Sequence, residues 1–445
     1  MSPSWLNEFE ELHGRELQEL SKKLWSYAEP ALEEYRSSSA LIDYLVNQGF
    51  SVCRGLAGLD TAFLAQWGFD SPRILFLAEY DALQNAGQAA VSHESPIVGK
   101  GGHACGHCLL GVGAVGAAVA LKERMEKMKL HGSVAVMGCP AEETMTGKIR
   151  LAQEGYFDNF DVALTWHPEA INQVSELRYQ AMRSVYFSFR GTPAHAAISP
   201  DAGRSALDAV ELMNVGVNYL REHIHPGARI HYVTVNGGKV PNVVPDYAKS
   251  WYFIRTPRDD LQKDIYARVC RIAQGAALMT DTEVTIDEIT ACPATKIYPD
   301  LNKVLFESFE EVGTPSWTNR ELAFGREIQR TLPVEQLTGQ IEDCPRLKEQ
   351  GPLDTGLTPL SNIPKPFPAS SDVSAVSARI PTGQITVACF PVGTAGHTWP
   401  ITACSGSEIG WRGMMTASKV LALTGSKLLQ DPQMLKSILS KNKFI

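Results

Sequence analysis

Asp81, Cys105, His107, Glu142, Glu143, His167 and His397 are the residues of this chain whose types and placement could do chemistry. Carboxylate, imidazole and thiolate donors are the ligand set of divalent cations. Their positions follow a rule. Apolar, strand-like runs at 74–78, 133–138, 162–165 and 385–390 lead into Glu79-Tyr80-Asp81, Cys139-Pro140-Ala141-Glu142-Glu143, Trp166-His167 and Gly393-Thr394-Ala395-Gly396-His397. In open α/β sheets, ligands gather at the carboxyl ends of parallel strands. Between the first two runs, His103-Ala104-Cys105-Gly106-His107-Cys108 opens a helix-like stretch and supplies further donors. A single histidine is usually a hydrogen-bonded core or surface residue, and paired acids usually sit on a solvated face. Here the joint pattern inverts both expectations, because coincidence would have to strike at four strand ends. Two divalent cations about 3.5 to 4 Å apart need several protein ligands and an open position for water, so the ingredients of a two-metal hydrolase are present. Glu142 and Glu143 would repel each other unless cations compensated them. One can bind metal while its neighbour acts as general base.

Other motifs fail on spacing. Cys105-Gly106-His107-Cys108 contains a C-x-x-C, but no second pair follows to complete a zinc ribbon. A zinc nucleobase deaminase would carry H-x-E and a later P-C-x-x-C, whereas Cys139-Pro140 runs in the reverse order. Gly99-Lys100-Gly101-Gly102 lacks both the spacing and the Ser/Thr of a phosphate loop.

The elements that must position these residues alternate. Up to about residue 178, helical and strand patterns follow one another, the α/β signature, with an Ala-, Gly- and Val-rich stretch at 109–125 that reads as an interior helix. From about 180 to 290 the order becomes strand 184–190, helix 205–223, strands 229–235 and 247–255, helix 259–280 and strand 283–289. This β-α-β-β-α-β arrangement is the ferredoxin-like one. Its insertion between His167 and His397 predicts a discontinuous catalytic domain, 1–178 and 293–445, interrupted by a lid or dimerisation domain at 179–292. The catalytic sheet should be mixed, mainly parallel and flanked by helices. After one helix at 301–312, the region up to about 370 reads as a long polar segment.

Composition bounds the rest. At 445 residues and 44% hydrophobic content the chain can bury large cores. Its 41 basic and 49 acidic residues are interspersed and give a net charge of −8, so no basic stripe suits nucleic acid or an anionic membrane. The N-terminus lacks a signal-like segment and no run of apolar residues could span a bilayer. Nine scattered cysteines fit reduced thiols, with Cys53, Cys139, Cys270 and Cys389 expected as core filler. A cytoplasmic location is the expectation.

In the residues around these ligands the chain resembles the M20 metallopeptidase/amidohydrolase family, in its aminoacylase-like branch. The resemblance spans essentially the whole chain. It is carried by His103-Ala104-Cys105-Gly106-His107, the Glu142-Glu143 pair, Thr165-Trp166-His167-Pro168, Gly203-Arg204-Ser205-Ala206-Leu207, Pro241-Asn242-Val243-Val244-Pro245 and His397-Thr398-Trp399. The resemblance implies that Cys105, His107, Glu143, His167 and His397 ligate two divalent metal ions, with Glu142 as general base and Asp81 as the acid behind the ligands. In the lid it implies that His195 helps hold the tetrahedral intermediate in a neighbouring subunit's site, and that Asn242 and Arg255 meet the substrate. A planar guanidinium suits a carboxylate physically. Thiolate softness favours zinc, whereas the resemblance favours manganese; manganese is the expectation. The chain departs from the family at Cys108, where Asn or Asp is usual, and at Ser370-Ser371-Asp372, where relatives carry Gly-Ser-Glu-Asp.

The activity implied is hydrolysis of an N-aroyl or N-acyl amino acid, p-aminobenzoyl-glutamate first, by a homodimer or a heterodimer with a related chain. Other conjugates such as indole-acetyl amino acids, basic dipeptides, or an aryl deamination are alternatives in the same site. A non-catalytic partner subunit is the alternative from another class, and the full ligand set with Glu142 argues against it.

Overall fold

The computed structural model of the chain describes residues 2–361 and 363–440. They divide into two compact units, one of residues 1–176, 296–364 and 379–445, the other of 177–295 and 365–378. Sequence alone assigns all of 293–445 to the first unit. The segment 365–378 instead goes with the second, because Lys365–Phe367 pairs in parallel with Leu177–Tyr179 and the Thr295 and Ser374 hydroxyls lie 2.6 Å apart.

The first unit is built on an eight-stranded sheet of β1 (Ser51–Arg54), β2 (Phe63–Trp67), β3 (Arg73–Ala78), β4 (Ser133–Gly138), β5 (Val162–Glu169), β6 (Asn172–Val174) and two later strands. Numbering of the remaining strands continues along the chain: β7 (Leu177–Tyr179), β8 (Ala181–Arg190), β9 (Arg229–Asn236), β10 (Tyr247–Thr256), β11 (Glu283–Cys292), β12 (Leu357–Thr358), β13 (Lys365–Phe367) and β14 (Thr382–Ala388). The order is β1-β2-β4-β3-β5-β14-β6-β12, and the central pairs β4/β3, β3/β5 and β5/β14 are parallel. β3 and β4 are apolar nearly throughout and buried along their length, the pattern of strands covered on both faces.

Four helices frame the first half of this sheet: α1 (Ser4–Tyr27), α2 (Tyr35–Asn47), α3 (His107–Met128) and α4 (Gly147–Gln153). α3 is the interior helix, buried from His107 to Leu121 and packed between β3, β4 and β5 and the late helix Glu408–Gln430. Small residues allow that closeness. A methyl group on Gly113 would come within 2.6 Å of the Trp166 ring nitrogen, which donates to the Leu110 carbonyl at 3.0 Å.

The second unit carries β8, α5 (Ala206–Leu220), β9, β10, α6 (Asp259–Thr280) and β11, with antiparallel sheet order β11-β8-β10-β9. This is the ferredoxin-like split arrangement. Its core is formed by Phe187, Phe189, Tyr252 and Ile254 of the sheet against Met213, Val217, Ile265 and Val269 of the helices.

Two expectations fail. The stretch after α7 (Pro299–Val312) is not a long loop, since it holds helices Asn319–Gln329 and Val334–Asp343 and a turn of 3-10 helix at Pro345–Glu349. The first of these is started by a capping box between Thr318 and Glu321, a signal hidden among polar and Pro residues. Cys53 is exposed on the edge strand β1 rather than in the core, and Cys270 is half-buried, whereas Cys139 and Cys389 are buried.

Candidate metal centre

The seven positions named from the sequence converge in the first unit. β3 ends at Ala78 and Asp81 follows. Asp81 Oδ1 lies 2.9 Å from His107 Nδ1, and its Oδ2 accepts the Glu143 amide N–H at 3.0 Å. Cys105 Sγ is 3.4 Å from His167 Nε2, and His397 Nε2 is 3.4 Å from a Glu143 oxygen. Two sets of three donors result: Cys105, His107 and His167, and Cys105, Glu143 and His397, with the donor atoms of each set within 4.8 Å of one another. Cys105 belongs to both. Glu142 stands at the edge of the first set, its carboxylate 4.0 Å from His107 Nε2.

Local backbone constraints put these donors there. Gly106, at φ +82°, turns the chain between Cys105 and His107 immediately before α3, and a Cβ at this position would lie 2.6 Å from Pro168. His103 pins the same turn: its Nε2 lies 3.0 Å from the Leu24 carbonyl oxygen, and its Nδ1 accepts the Cys108 amide N–H. Burial pushes this imidazole down to about 4, so it is neutral and structural. The Glu142-Glu143 loop is held by Glu34, whose carboxylate accepts the N–H groups of Leu32 and Ala141 and the Thr61 hydroxyl. Ala141, at φ +58°, is a non-glycine residue in the left-handed region. His397 is another, at φ +60°, and its N–H donates to the Ala104 carbonyl at 3.1 Å. Backbone kept in that region usually marks a functional site.

Electrostatics and orphaned atoms test whether cations fit. Burial opposes a charge on His107 and His167, yet the Cys105 sulfur outweighs it, holding His107 well above the usual histidine range and raising His167 to about 10. A field that keeps protons on buried imidazoles also favours a divalent cation in their place. Burial, the largest influence, raises Glu143 to about 7. His107 Nε2 and Glu143 Oε1 are buried without a hydrogen-bond partner, which is costly unless another group meets them. The donors fit a metal centre.

His195, Asn242 and Arg255 lie in the second unit. His195 and Asn242 are both exposed and sit on adjoining segments, with the Ala196 N–H donating to the Asn242 carbonyl at 3.0 Å. Arg255 is near the other end of β10, which starts at Tyr247, so about 26 Å of extended strand separates it from the Asn242 end. Its guanidinium stacks 5.1 Å over Phe253, and its Nε is buried without a partner. Within one copy of the unit, Arg255 and Asn242 are not neighbours.

Three residues escape a reading of the sequence. Glu79 carries the same strand-end signal that marks Asp81. Glu34 and Lys148 carry none, since their partners are distant in sequence. Cys108 belongs to the apolar core under α3, where burial pushes its thiol up.

A mainly parallel α/β sheet that ends in this donor set, with an inserted ferredoxin-like unit, defines a metal-dependent hydrolase of C–N bonds. The chain belongs to the peptidase family M20/M25/M40, whose model matches residues 75–332. It is 38% identical to one of the two chains of the p-aminobenzoyl-glutamate hydrolase of Escherichia coli (strain K12), covering 94% of this chain and 90% of that protein. The Xaa-Arg dipeptidase of Mus musculus is 33% identical over 66% of this chain and 67% of its own length. Among solved structures, a Bacillus subtilis protein described as a dinuclear metal binding peptidase from the M20 family superposes with a TM-score of 0.64 at 16% identity, covering 94% of this chain and 99% of that one. Among the described residues, no helix is long and apolar enough to cross a membrane.

Proposed function

We propose that the chain is a dinuclear amidohydrolase that splits an N-aroyl or N-acyl amino acid into a carboxylic acid and a free amino acid. The observation that carries this reading is the sharing of Cys105 between two donor sets. One set, completed by His107 and His167, would hold one ion, and the other, completed by Glu143 and His397, the second, with the Cys105 thiolate between them. Two such ions supply polarisation of the scissile carbonyl and acidification of a water molecule. The chain's own residues do the rest. Glu142, beside the donors but in neither Cys105 set, takes the proton from the attacking water and returns it to the departing amine. Asp81 keeps the Nδ1 of His107 engaged, so that Nε2 faces the ion.

The lid residues extend the proposal. His195 Nδ1 accepts the N–H groups of Ala197 and Ile198, so the neutral ring carries its proton on Nε2. That tautomer is a donor suited to a developing oxyanion, and His195 would provide it to a neighbouring subunit. Arg255, with an unpaired Nε, would receive the substrate carboxylate, and Asn242 would add a hydrogen bond to the substrate. The partner is a second copy or a related chain, and manganese is the metal proposed over zinc.

Likeness to the E. coli hydrolase makes p-aminobenzoyl-glutamate the first substrate to test. The Xaa-Arg dipeptidase likeness favours a second reading, cleavage of basic dipeptides. Purified protein loaded with Mn2+ should release p-aminobenzoate and glutamate, followed by amine detection across a panel of acyl-amino acids and Xaa-Arg dipeptides. Cleavage of dipeptides alone would replace the first reading by the second, and inactivity on the whole panel would remove both.

A further inference from the structure

Beside the donors lies a buried ion pair. Glu79 Oε1 is 2.7 Å from Lys148 Nζ, with the lysine side chain 0% and the carboxylate 3% exposed. A lysine is almost never buried to this degree unless its charge is matched. The other oxygen of Glu79 turns toward the ligands and lies 3.4 Å from His107 Nε2. Glu79, His107 and Glu142 bring their donor atoms within 4.8 Å of one another, a third set that shares His107 with the first. Because His107 Nε2 is buried without a hydrogen-bond partner, the space it addresses is also addressed by Glu79. The backbone fixes both ends of the pair. Glu79 directly follows β3, and Lys148 sits in the first turn of α4, whose first residue, Gly147, packs so tightly that a Cβ would lie 1.9 Å from the Pro140 carbonyl.

We infer, resting on the two-ion reading above, that Glu79 is a further carboxylate of the metal centre, aimed by Lys148 at the ion position of His107. Lys148 is the positioning residue. By holding Oε1 it leaves Oε2 to face a cation, and its ammonium offsets a negative charge beside Asp81, Cys105, Glu142 and Glu143. Without such an offset, another buried carboxylate among these groups would favour its protonated form.

The test is metal binding rather than turnover. Changing Glu79→Gln and Lys148→Met together removes both charges at similar volume, so no buried charge is left alone. Free Mn2+ is followed by its electron paramagnetic resonance signal during titration of the parent and the double variant, with thermal melting of the metal-free proteins as the check on folding. One of the two ions should bind about 10- to 100-fold more weakly in the variant, with the other unchanged. Two ions bound as tightly as in the parent would overturn the inference. A parent that takes up only one ion defeats the two-ion reading; Glu79 is then judged on that ion, retained if its affinity falls by the same factor and discarded if it does not. Should the double variant fail to fold, Glu79→Asp keeps the charge beside Lys148 but withdraws the oxygen, and unchanged Mn2+ affinities there would be equally fatal.

Discussion

Asp81 Oδ1 sits 2.9 Å from Nδ1 of His107, with both side chains wholly buried. A carboxylate accepts and cannot donate when ionised, so the proton lies on Nδ1 and the Nε2 lone pair points away from Asp81. The second oxygen of Asp81 takes the Glu143 N–H. One residue therefore orients a donor of each Cys105 set. Asp81→Asn should lower metal affinity about 10- to 100-fold while leaving the fold in place. Chelator competition measures the first effect and far-ultraviolet circular dichroism the second; an affinity within error of the parent would show that Asp81 does not tune the site.

Cys105 belongs to both donor sets, whereas His167 belongs to one. Cys105→Ala should therefore deplete both ions, and His167→Ala chiefly one. Elemental analysis of dialysed proteins distinguishes them. If Cys105→Ala loses no more metal than His167→Ala, the sulfur is not shared.

Glu142 and Glu143 adjoin in sequence but differ in surroundings. Glu143 has a buried oxygen without a partner and faces His397, while Glu142 stands 4.0 Å from His107 Nε2. Glu142→Gln should retain metal and lose roughly 10² to 10⁴ in kcat, since proton transfer alone is removed. Glu143→Gln should instead weaken metal binding. The opposite outcome reverses the assignment of base and ligand.

Much of this centre is legible in the sequence because strand ends are local signals. The apolar runs before Asp81 and Glu142 stop within a few residues of the donors, and the parallel strands β3, β4, β5 and β14 bring those ends together. The run before His167 is longer than its apolar residues suggest, for β5 continues through His167 to Glu169. The lid shows its true element order because alternation and helical spacing are both local. What cannot be read depends on distant partners. Glu34 reaches Ala141 across 107 positions, and no pattern near either residue announces it. The left-handed backbone of His397 is equally silent, since nothing in its residue type requires it. The helices after α7 stay hidden because their apolar positions are few and proline interrupts them.

Arg255→Ala should raise KM for substrates with a free α-carboxylate and spare an amidated analogue, because the bond removed is charge-assisted. Steady-state kinetics on matched acid and amide substrates decides it. Equal losses on both would assign the guanidinium, stacked on Phe253, to the architecture of β10.

Assembly gives the last prediction. The lid sheet ends at β9 on one side and β11 on the other, and exposed edges of this kind are covered or paired in stable proteins. A symmetric dimer is the commonest solution. If His195 serves a neighbouring subunit, His195→Ala and Glu142→Gln proteins should each be inactive alone. Mixed under conditions that exchange subunits, they should regain activity, because a hybrid dimer contains one site with both wild-type residues. With random exchange, half the dimers are hybrids with one intact site in two, so recovery should approach about a quarter of the wild-type rate, as the C2 symmetry of the pair requires. A mixture with verified exchange and no recovery would mean that His195 acts within its own chain or takes no part in the reaction.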